Sequence, residues 1–165
     1  MKFGFIGAGN MAAAIIKGMT IGTKSYKGED ISVTSKTVTS AQKLADSCGA
    51  VALSSAGEVV KESDVLVLAV KPHVLASVVP ALKEEIAAKK PLVVSIAAGK
   101  TLDYLAELLA DGTPIVRVMP NINAKIGAST NGMCANAYVT EEQKAVVKGM
   151  FETIGTVIEV DEKHF

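Results

Sequence analysis

Tryptophan is absent and aromatic residues make up only 4% of the 165-residue chain, so its core has to be built from aliphatic side chains. There are two cysteines, Cys48 and Cys134, far apart and with neither metal-ligand nor redox spacing. They read as reduced thiols of a cytoplasmic protein rather than as a disulfide framework. The two histidines, His73 and His164, have no carboxylate–cysteine neighbourhood, so no metal site is expected. No sign of charge dominates: 17 Lys and Arg face 17 Asp and Glu. That balance gives no reason to expect a nucleic-acid partner or an anionic membrane surface. No run approaches the roughly eighteen uncharged apolar residues of a membrane span, and no basic segment precedes an apolar one as in a secretory signal.

What the chain does have is apolar bulk. It is 49% hydrophobic and 21% charged, with a mean hydropathy of +0.35. This exceeds the usual balance for a solvated domain and implies a surface made to be covered. The length suits one domain, 1–165, with a full core.

Short runs rich in Val, Ile and Leu alternate with helical patterns along the chain. The runs Lys2–Ile6, Ile31–Thr34, Val65–Val70, Leu92–Ile96 and Ile115–Val118 have the continuous apolar character of strands covered on both faces, with a weaker one near Val51–Leu53. Val74 to Lys89 and Thr101 to Leu109 carry apolar residues at helical spacing, with Thr101 placed to cap the second. Ser55-Ala56-Gly57-Glu58 and Thr140-Glu141-Glu142-Gln143 are capping-box patterns, and Gly49 and Gly112 stand where left-handed helix stops belong. The chain closes with a strand-like Gly132–Tyr138, a helix from Glu141 to about Thr153 and a strand Val157–Val160. The expected fold is α/β, a Rossmann-type doubly wound, mostly parallel sheet.

The first strand leads into Gly7-Ala8-Gly9-Asn10-Met11-Ala12 and then an apolar helix. Gly7 permits a tight strand-to-helix turn, Gly9 lets backbone approach a pyrophosphate, and Ala12 allows close helix–strand packing. Free amides at the helix start attract phosphate. A G-x-G-x-x-A pattern alone says little; the strand before it, the helix after it and the alternation beyond give it weight.

In NAD-binding members of such folds a carboxylate ends the second strand and grips the ribose 2′-hydroxyl. Here that place holds Thr34-Ser35-Lys36-Thr37. Hydroxyls and an ammonium suit a 2′-phosphate, so NADP(H) is favoured and NAD(H) stays possible; the bland alternative is a solvated Ser/Thr loop. Ligands on open parallel sheets bind outside the carboxyl ends of the strands. Those ends supply Ile6–Met11, Thr34–Lys36, Ala69-Val70-Lys71-Pro72, Ala97-Ala98-Gly99 and Met119-Pro120-Asn121. Pro72 and the Ala97–Gly99 turn offer small or rigid surfaces to a flat ring, and the Asn121 amide could bind a carboxamide or a substrate carboxylate. No nucleophile elbow and no carboxylate pair stand out. Lys71 and His73 are candidates for proton transfer, but an ordinary surface role accounts for both, and no residue is assigned as catalytic.

Taken together, Gly4-Phe5-Ile6-Gly7-Ala8-Gly9-Asn10-Met11-Ala12, Val67-Leu68-Ala69-Val70-Lys71-Pro72, Val94-Ser95-Ile96-Ala97-Ala98-Gly99 and Arg117-Val118-Met119-Pro120-Asn121 resemble the pyrroline-5-carboxylate reductases, in order and in spacing. The resemblance implies NADP(H) contacts at Ile6, Gly7, Ala8, Gly9, Asn10, Met11, Thr34, Ser35, Lys36, Ala69, Val70, Lys71, Pro72, Ala97, Ala98 and Gly99. It implies hydride transfer to the C=N carbon of 1-pyrroline-5-carboxylate, giving L-proline, with Asn121 on the substrate side. The chain has Ile122-Asn123 where the family usually has Thr-Pro. The family also carries a second, helical domain of about a hundred residues, a usual domain size, which builds the homo-oligomer and most of the imine site. Asp161–Phe165 falls where that domain would begin, so the resemblance implies a cofactor half that binds the dinucleotide and turns over little by itself. Two other functions remain open from the residues: the cofactor domain of another small reductase or dehydrogenase, and a non-catalytic nucleotide-sensing module.

Overall fold

The computed structural model describes residues 1–120 and 129–165. Asn121, named above for the substrate, lies outside the described residues. Among the described residues, eight strands form one sheet: β1 (Phe3–Ile6), β2 (Ile31–Thr34), β3 (Val51–Ala52), β4 (Val65–Leu68), β5 (Leu92–Ser95), β6 (Ile115–Met119), β7 (Ser129–Ala135) and β8 (Gly155–Glu159). Their order is β3-β2-β1-β4-β5-β6-β7-β8. β1 to β6 run parallel; β7 is antiparallel to β6, and β8 is parallel to β7. The sequence reversal from β1 outward to β2 and then back across to β4 is the doubly wound arrangement.

Among the described residues, seven α-helices cover the sheet: α1 (Asn10–Lys17), α2 (Val38–Cys48), α3 (Ala56–Glu62), α4 (Leu75–Ala81), α5 (Lys83–Lys89), α6 (Leu102–Leu108) and α7 (Glu141–Glu152). Because side chains alternate along a strand, each strand feeds both layers. Phe3, Phe5, Val65, Val67, Leu92, Val94, Val116 and Val118 join α1, α2 and α7 in one buried cluster. Ile6, Leu66, Leu68, Val93 and Ile115 join α3, α4, α5 and α6 in the other. Each such aliphatic or aromatic side chain contributes about 1.5–3 kcal/mol when buried. Gly4 is where α3 comes nearest to β1: a Cβ there would overlap the Ser63 hydroxyl and lie 2.6 Å from Val59.

Local capping chemistry sets several helix starts. Ser55 accepts from the Glu58 amide at 3.2 Å, Thr101 from the Tyr104 amide at 3.1 Å, and Thr140 and Gln143 form a reciprocal box. Gly49 closes α2 in the left-handed region, φ 75°.

Several boundaries differ from the sequence expectation, among them β8, at Gly155–Glu159 rather than Val157–Val160, and β4, which ends at Leu68 rather than Val70. The helical pattern from Val74 to Lys89 is broken into a 3-10 turn at Pro72–Val74, α4 and α5. Pro80 inside α4 lacks the amide a continuous helix would need, and Leu82 (φ −106°, ψ 3°) makes the break. α5 ends on Lys90 in the left-handed region, φ 57°, without a glycine. Gly112 does have positive φ, but α6 has already stopped at an extended Leu109, so Gly112 serves the turn into β6 instead. The strand expected at Gly132–Tyr138 lies at Ser129–Ala135.

Candidate functional site

The carboxyl ends of β2, β1, β4 and β5 lie side by side, so four connecting turns share one edge of the sheet. The turn after β1 is the tightest. Gly7 has φ 112°, and a Cβ on it would lie 2.5 Å from the Ala69 carbonyl oxygen. Its amide donates to the Thr34 carbonyl at 2.9 Å, and the Ala69 amide donates to the Ile6 carbonyl at 2.8 Å. One residue without a side chain thus lets the turns after β1, β2 and β4 close on one another.

Gly9 is the N-cap of α1 and brings no capping side chain; it is exposed, and a Cβ on it would meet nothing within 4 Å. The first helical bond runs from the Ala13 amide to the Gly9 carbonyl, at 2.9 Å. The amides of Asn10, Met11 and Ala12 precede it and have no intrahelical acceptor. An open approach over Gly9 and the positive end of the helix dipole suit an anion.

The turn after β2 is more selective about what it offers. Thr34 is buried at 6% exposure. Ser35 uses its hydroxyl to shape the start of α2, donating to the Thr37 carbonyl and accepting from the Ala41 amide at 2.9 Å. Lys36 is exposed and makes no ion pair among the described residues. It is the cation this turn presents. Beside it Val38 opens α2 with an apolar side chain 63% exposed, a position the sequence reading did not single out. Its signal was an apolar residue closing the polar run Thr34–Thr37.

After β4, Ala69 and Val70 are half-buried, Lys71 is exposed, and Pro72 opens the 3-10 turn with its fixed φ. After β5, the Ala97 amide donates to Ser95 Oγ at 3.2 Å, and Ala98 and Gly99 are exposed, Gly99 with φ 74°. Ile6 and Ala97 belong to the buried core, so either can face a ligand only through its backbone. His73 is exposed on the 3-10 turn. Met119 and Pro120 close β6, half-buried. Among the described residues no three His, Cys, Asp or Glu side chains gather to hold a metal, and no helix is long and apolar enough to cross a membrane.

The geometry fits a dinucleotide: an uncapped helix start behind a tight glycine turn, a free lysine where a carboxylate would repel phosphate, and small residues at the two following turns. Residues 2–99, which hold all four of these turns, match the family model for the NADP oxidoreductases described as coenzyme F420-dependent. The chain belongs to that family. Among individual members, the pyrroline-5-carboxylate reductase of Methanosarcina acetivorans is 38% identical over 161 residues, 98% of this chain and 59% of that protein. The structure of the pyrroline-5-carboxylate reductase of Coxiella burnetii superposes with a TM-score of 0.91 at 31% identity, covering 98% of this chain and 59% of the other. The pyrroline carboxylate reductase of Plasmodium falciparum, with NADP bound, superposes at 0.84 and 29% identity over 99% of this chain and 58% of the other. The chain therefore spans a little under three-fifths of the length of the relatives it matches. The two structures superpose on nearly all of this chain.

Proposed function

We propose that residues 1–165 form one dinucleotide-binding domain that takes NADP(H), with NAD(H) as the weaker ligand, and that it is the cofactor half of an enzyme reducing 1-pyrroline-5-carboxylate to L-proline. The observation that carries this reading is the contrast between two glycines. Gly7 is packed so that backbone turns close behind the site, whereas Gly9 faces open space at the start of α1. That is the shape a pyrophosphate needs, and the 38% identity to a pyrroline-5-carboxylate reductase supplies the substrate class.

In this reading the amides at the start of α1 hold the pyrophosphate, and the Lys36 ammonium neutralises the 2′-phosphate. Val38 offers its apolar surface to the adenine. Ala69, Val70, Lys71 and Pro72 on one side and Ala97, Ala98 and Gly99 on the other bracket the nicotinamide, where small and rigid groups leave room for a second flat ring. Bound NADPH supplies the hydride for the C=N carbon. The chain's own contribution is placement: it fixes the ring plane and keeps one face open to the imine. Asn121, next after Pro120, is assigned to the substrate carboxylate, and no described side chain is assigned an acid–base role. Homo-oligomer formation and most of the imine site are assigned to sequence present in the longer relatives. The balanced charge and the buried thiols of Cys48 and Cys134 support a cytoplasmic small-molecule enzyme rather than a nucleic-acid or membrane protein.

Calorimetric titration of the 165-residue chain with NADPH and NADH tests the reading. Binding of NADPH in clear preference to NADH is the expected result. Absence of binding to both, in a folded sample, would overturn it.

A further inference from the structure

Beyond the strand-end turns themselves, one long-range contact reaches the cofactor crevice from the far end of the chain. Glu162 opens a 3-10 turn, Glu162–His164, that follows β8. One carboxylate oxygen, Oε2, accepts two hydrogen bonds: from the Leu102 amide at 2.7 Å and from Arg117 Nη1 at 3.2 Å. The two donors come from different parts of the fold, 60 and 45 residues away in sequence.

Leu102 is the first residue of α6, so its amide has no carbonyl within the helix to bond. The N-cap Thr101 spends its hydroxyl on Tyr104, which leaves the Leu102 amide to Glu162. Arg117 lies inside β6, in register with Ser95 at the end of β5 and with Cys134 on β7. Its side chain is 6% exposed, its guanidinium carbon sits 4.7 Å from the centre of the Phe165 ring, and its Nε has no hydrogen-bond partner among the described residues. Arg117 is thus immobilised in the sheet and holds the Glu162 carboxylate in place, and Glu162 in turn holds the start of α6.

The segment between β5 and α6 is therefore fastened at both ends. At its base the Ala97 amide is held by Ser95 Oγ at 3.2 Å, and at its far end the Leu102 amide is held by Glu162. Between the two fastenings Ala98 and Gly99 are exposed toward solvent. We propose that Glu162 is a positioning residue for the cofactor site, clasping the α6 start to Arg117 so that the Ala97–Gly99 turn keeps the shape required beside the nicotinamide. This rests on the cofactor reading given above.

A pair of variants separates this role from simple stabilisation. Glu162→Ala alone strands a buried guanidinium and is expected to lower stability. Adding Arg117→Met removes that charge and should restore most of the melting temperature, while the α6 start stays unfastened. The double variant is expected to bind NADPH at least about fivefold more weakly than wild type, the worth of one modest hydrogen bond. Amide exchange at Leu102 and its neighbours in the double variant should be faster, with the rest of the sheet unchanged. Glu162→Gln keeps an acceptor oxygen and should stay within about twofold of wild-type affinity. Should the double variant fold poorly, Leu102→Pro deletes the clasped amide, and Leu102→Ala, which keeps that amide, accounts for the loss of a side chain packed on the core. Proline is accommodated at the first position of a helix, and Thr101 is already extended (φ −74°, ψ 165°). Leu102→Pro should weaken NADPH to a similar degree. Wild-type NADPH affinity in the double variant or in Leu102→Pro overturns the proposal, as does unchanged exchange of the segment in the double variant. A wild-type chain that binds neither dinucleotide overturns the cofactor reading instead, and the exchange measurement still decides whether the clasp orders the turn.

Discussion

Gly7 and Gly9 sit two residues apart, yet their substitutions should fail in opposite ways. Replacing Gly7 with Ala places a Cβ 2.5 Å from the Ala69 carbonyl oxygen and 2.7 Å from its carbon, both backbone atoms that cannot rotate away. The residue also has to keep φ near 112°, which costs an L-residue about 1–3 kcal/mol. With about 1–3 kcal/mol more for the overlap, the loss is about 4 kcal/mol. At about 2–4 °C per kcal/mol for a chain of this length, the melting temperature should fall by about 8–16 °C. Gly9 has φ −75° and ψ −174°, an ordinary extended conformation, and a Cβ on it meets nothing. Gly9→Val should therefore cost only about 1 kcal/mol, the disadvantage of valine against glycine at a helix N-cap. Its side chain fills the approach over the first amides of α1, however, where charge-assisted bonds are worth about 1.5–3 kcal/mol each. Loss of one or two of them weakens NADPH about a hundredfold. Thermal unfolding and calorimetry on both variants check the pair. A Gly9→Val protein that binds NADPH like wild type, or a Gly7→Ala protein that melts like wild type, refutes the account of the cradle.

Three further outcomes follow from individual side chains. Lys36→Glu should lower the ratio of NADPH to NADH affinity at least about tenfold, because a charge that attracts the 2′-phosphate becomes one that repels it; equal losses for both dinucleotides in paired titrations would remove that role. NADPH affinity should also fall more steeply with added salt than NADH affinity, since the extra phosphate meets an exposed and hence screened ammonium; parallel salt slopes would count against it. Burial first, and then the Glu162 carboxylate, push the Cys134 thiol from 9.0 up to about 11, with Arg117 opposing. The folded state thus keeps this proton where the unfolded state has lost it, so the stability of wild type relative to Cys134→Ala should be constant below about pH 9 and decline as pH rises toward 11. Denaturant titrations on both sides of pH 9 check this, and a gap that widens in favour of wild type with rising pH contradicts it.

How much of this was legible in the chain depends on how local each cause is. The strands β1, β2, β4, β5 and β6 announce themselves because a strand covered on both faces has no polar side to interrupt its apolar run. The caps at Ser55, Thr101 and Thr140 act over three residues and are equally plain. The break at Leu82 was harder to see, because the apolar spacing continues through it and Pro80, whose missing amide would bond back inside α4, does not mark where the helix stops. Lys90 gives no sign of its left-handed turn, since nothing about a lysine demands one. The antiparallel β7 is set by register against β6, a non-local match that hydrophobic runs do not encode. At the site, the Gly7–Gly9 turn follows from a motif in which each small residue has a local steric reason. The strand-end turns were legible as stretches rather than as side chains: alternate residues such as Ile6, Thr34 and Ala97 turn inward, and Ser35 spends its hydroxyl on α2. The Glu162 clasp was out of reach, because its partners are brought to it only by the finished sheet.

The distribution of charge at the two ends of the sheet bears on what the crevice is for. The chain as a whole is neutral, with 17 charges of each sign. At the amino ends of the strands, acids and bases meet: Lys2 pairs with Asp30 and Lys89 with Asp64. At the carboxyl ends, the turns after β1, β2, β4 and β5 contain Lys36, Lys71, His73 and Lys100 and no aspartate or glutamate at all. The ammonium of Lys100 is drawn over the Tyr104 ring, 4.6 Å from its centre, while Lys36 and Lys71 stay exposed. Glu162, which reaches the start of α6, is spent on Arg117 and the Leu102 amide. A neutral protein whose four strand-end turns carry bases and no acid, with an uncapped helix start among them, suits a polyanion there. In the reading proposed above, the grip on that anion comes from backbone amides and a few lysines. On that reading the absence of a nucleophile or acid–base pair from these turns is expected: their part is to hold and orient, and the reacting atoms are brought by what they hold.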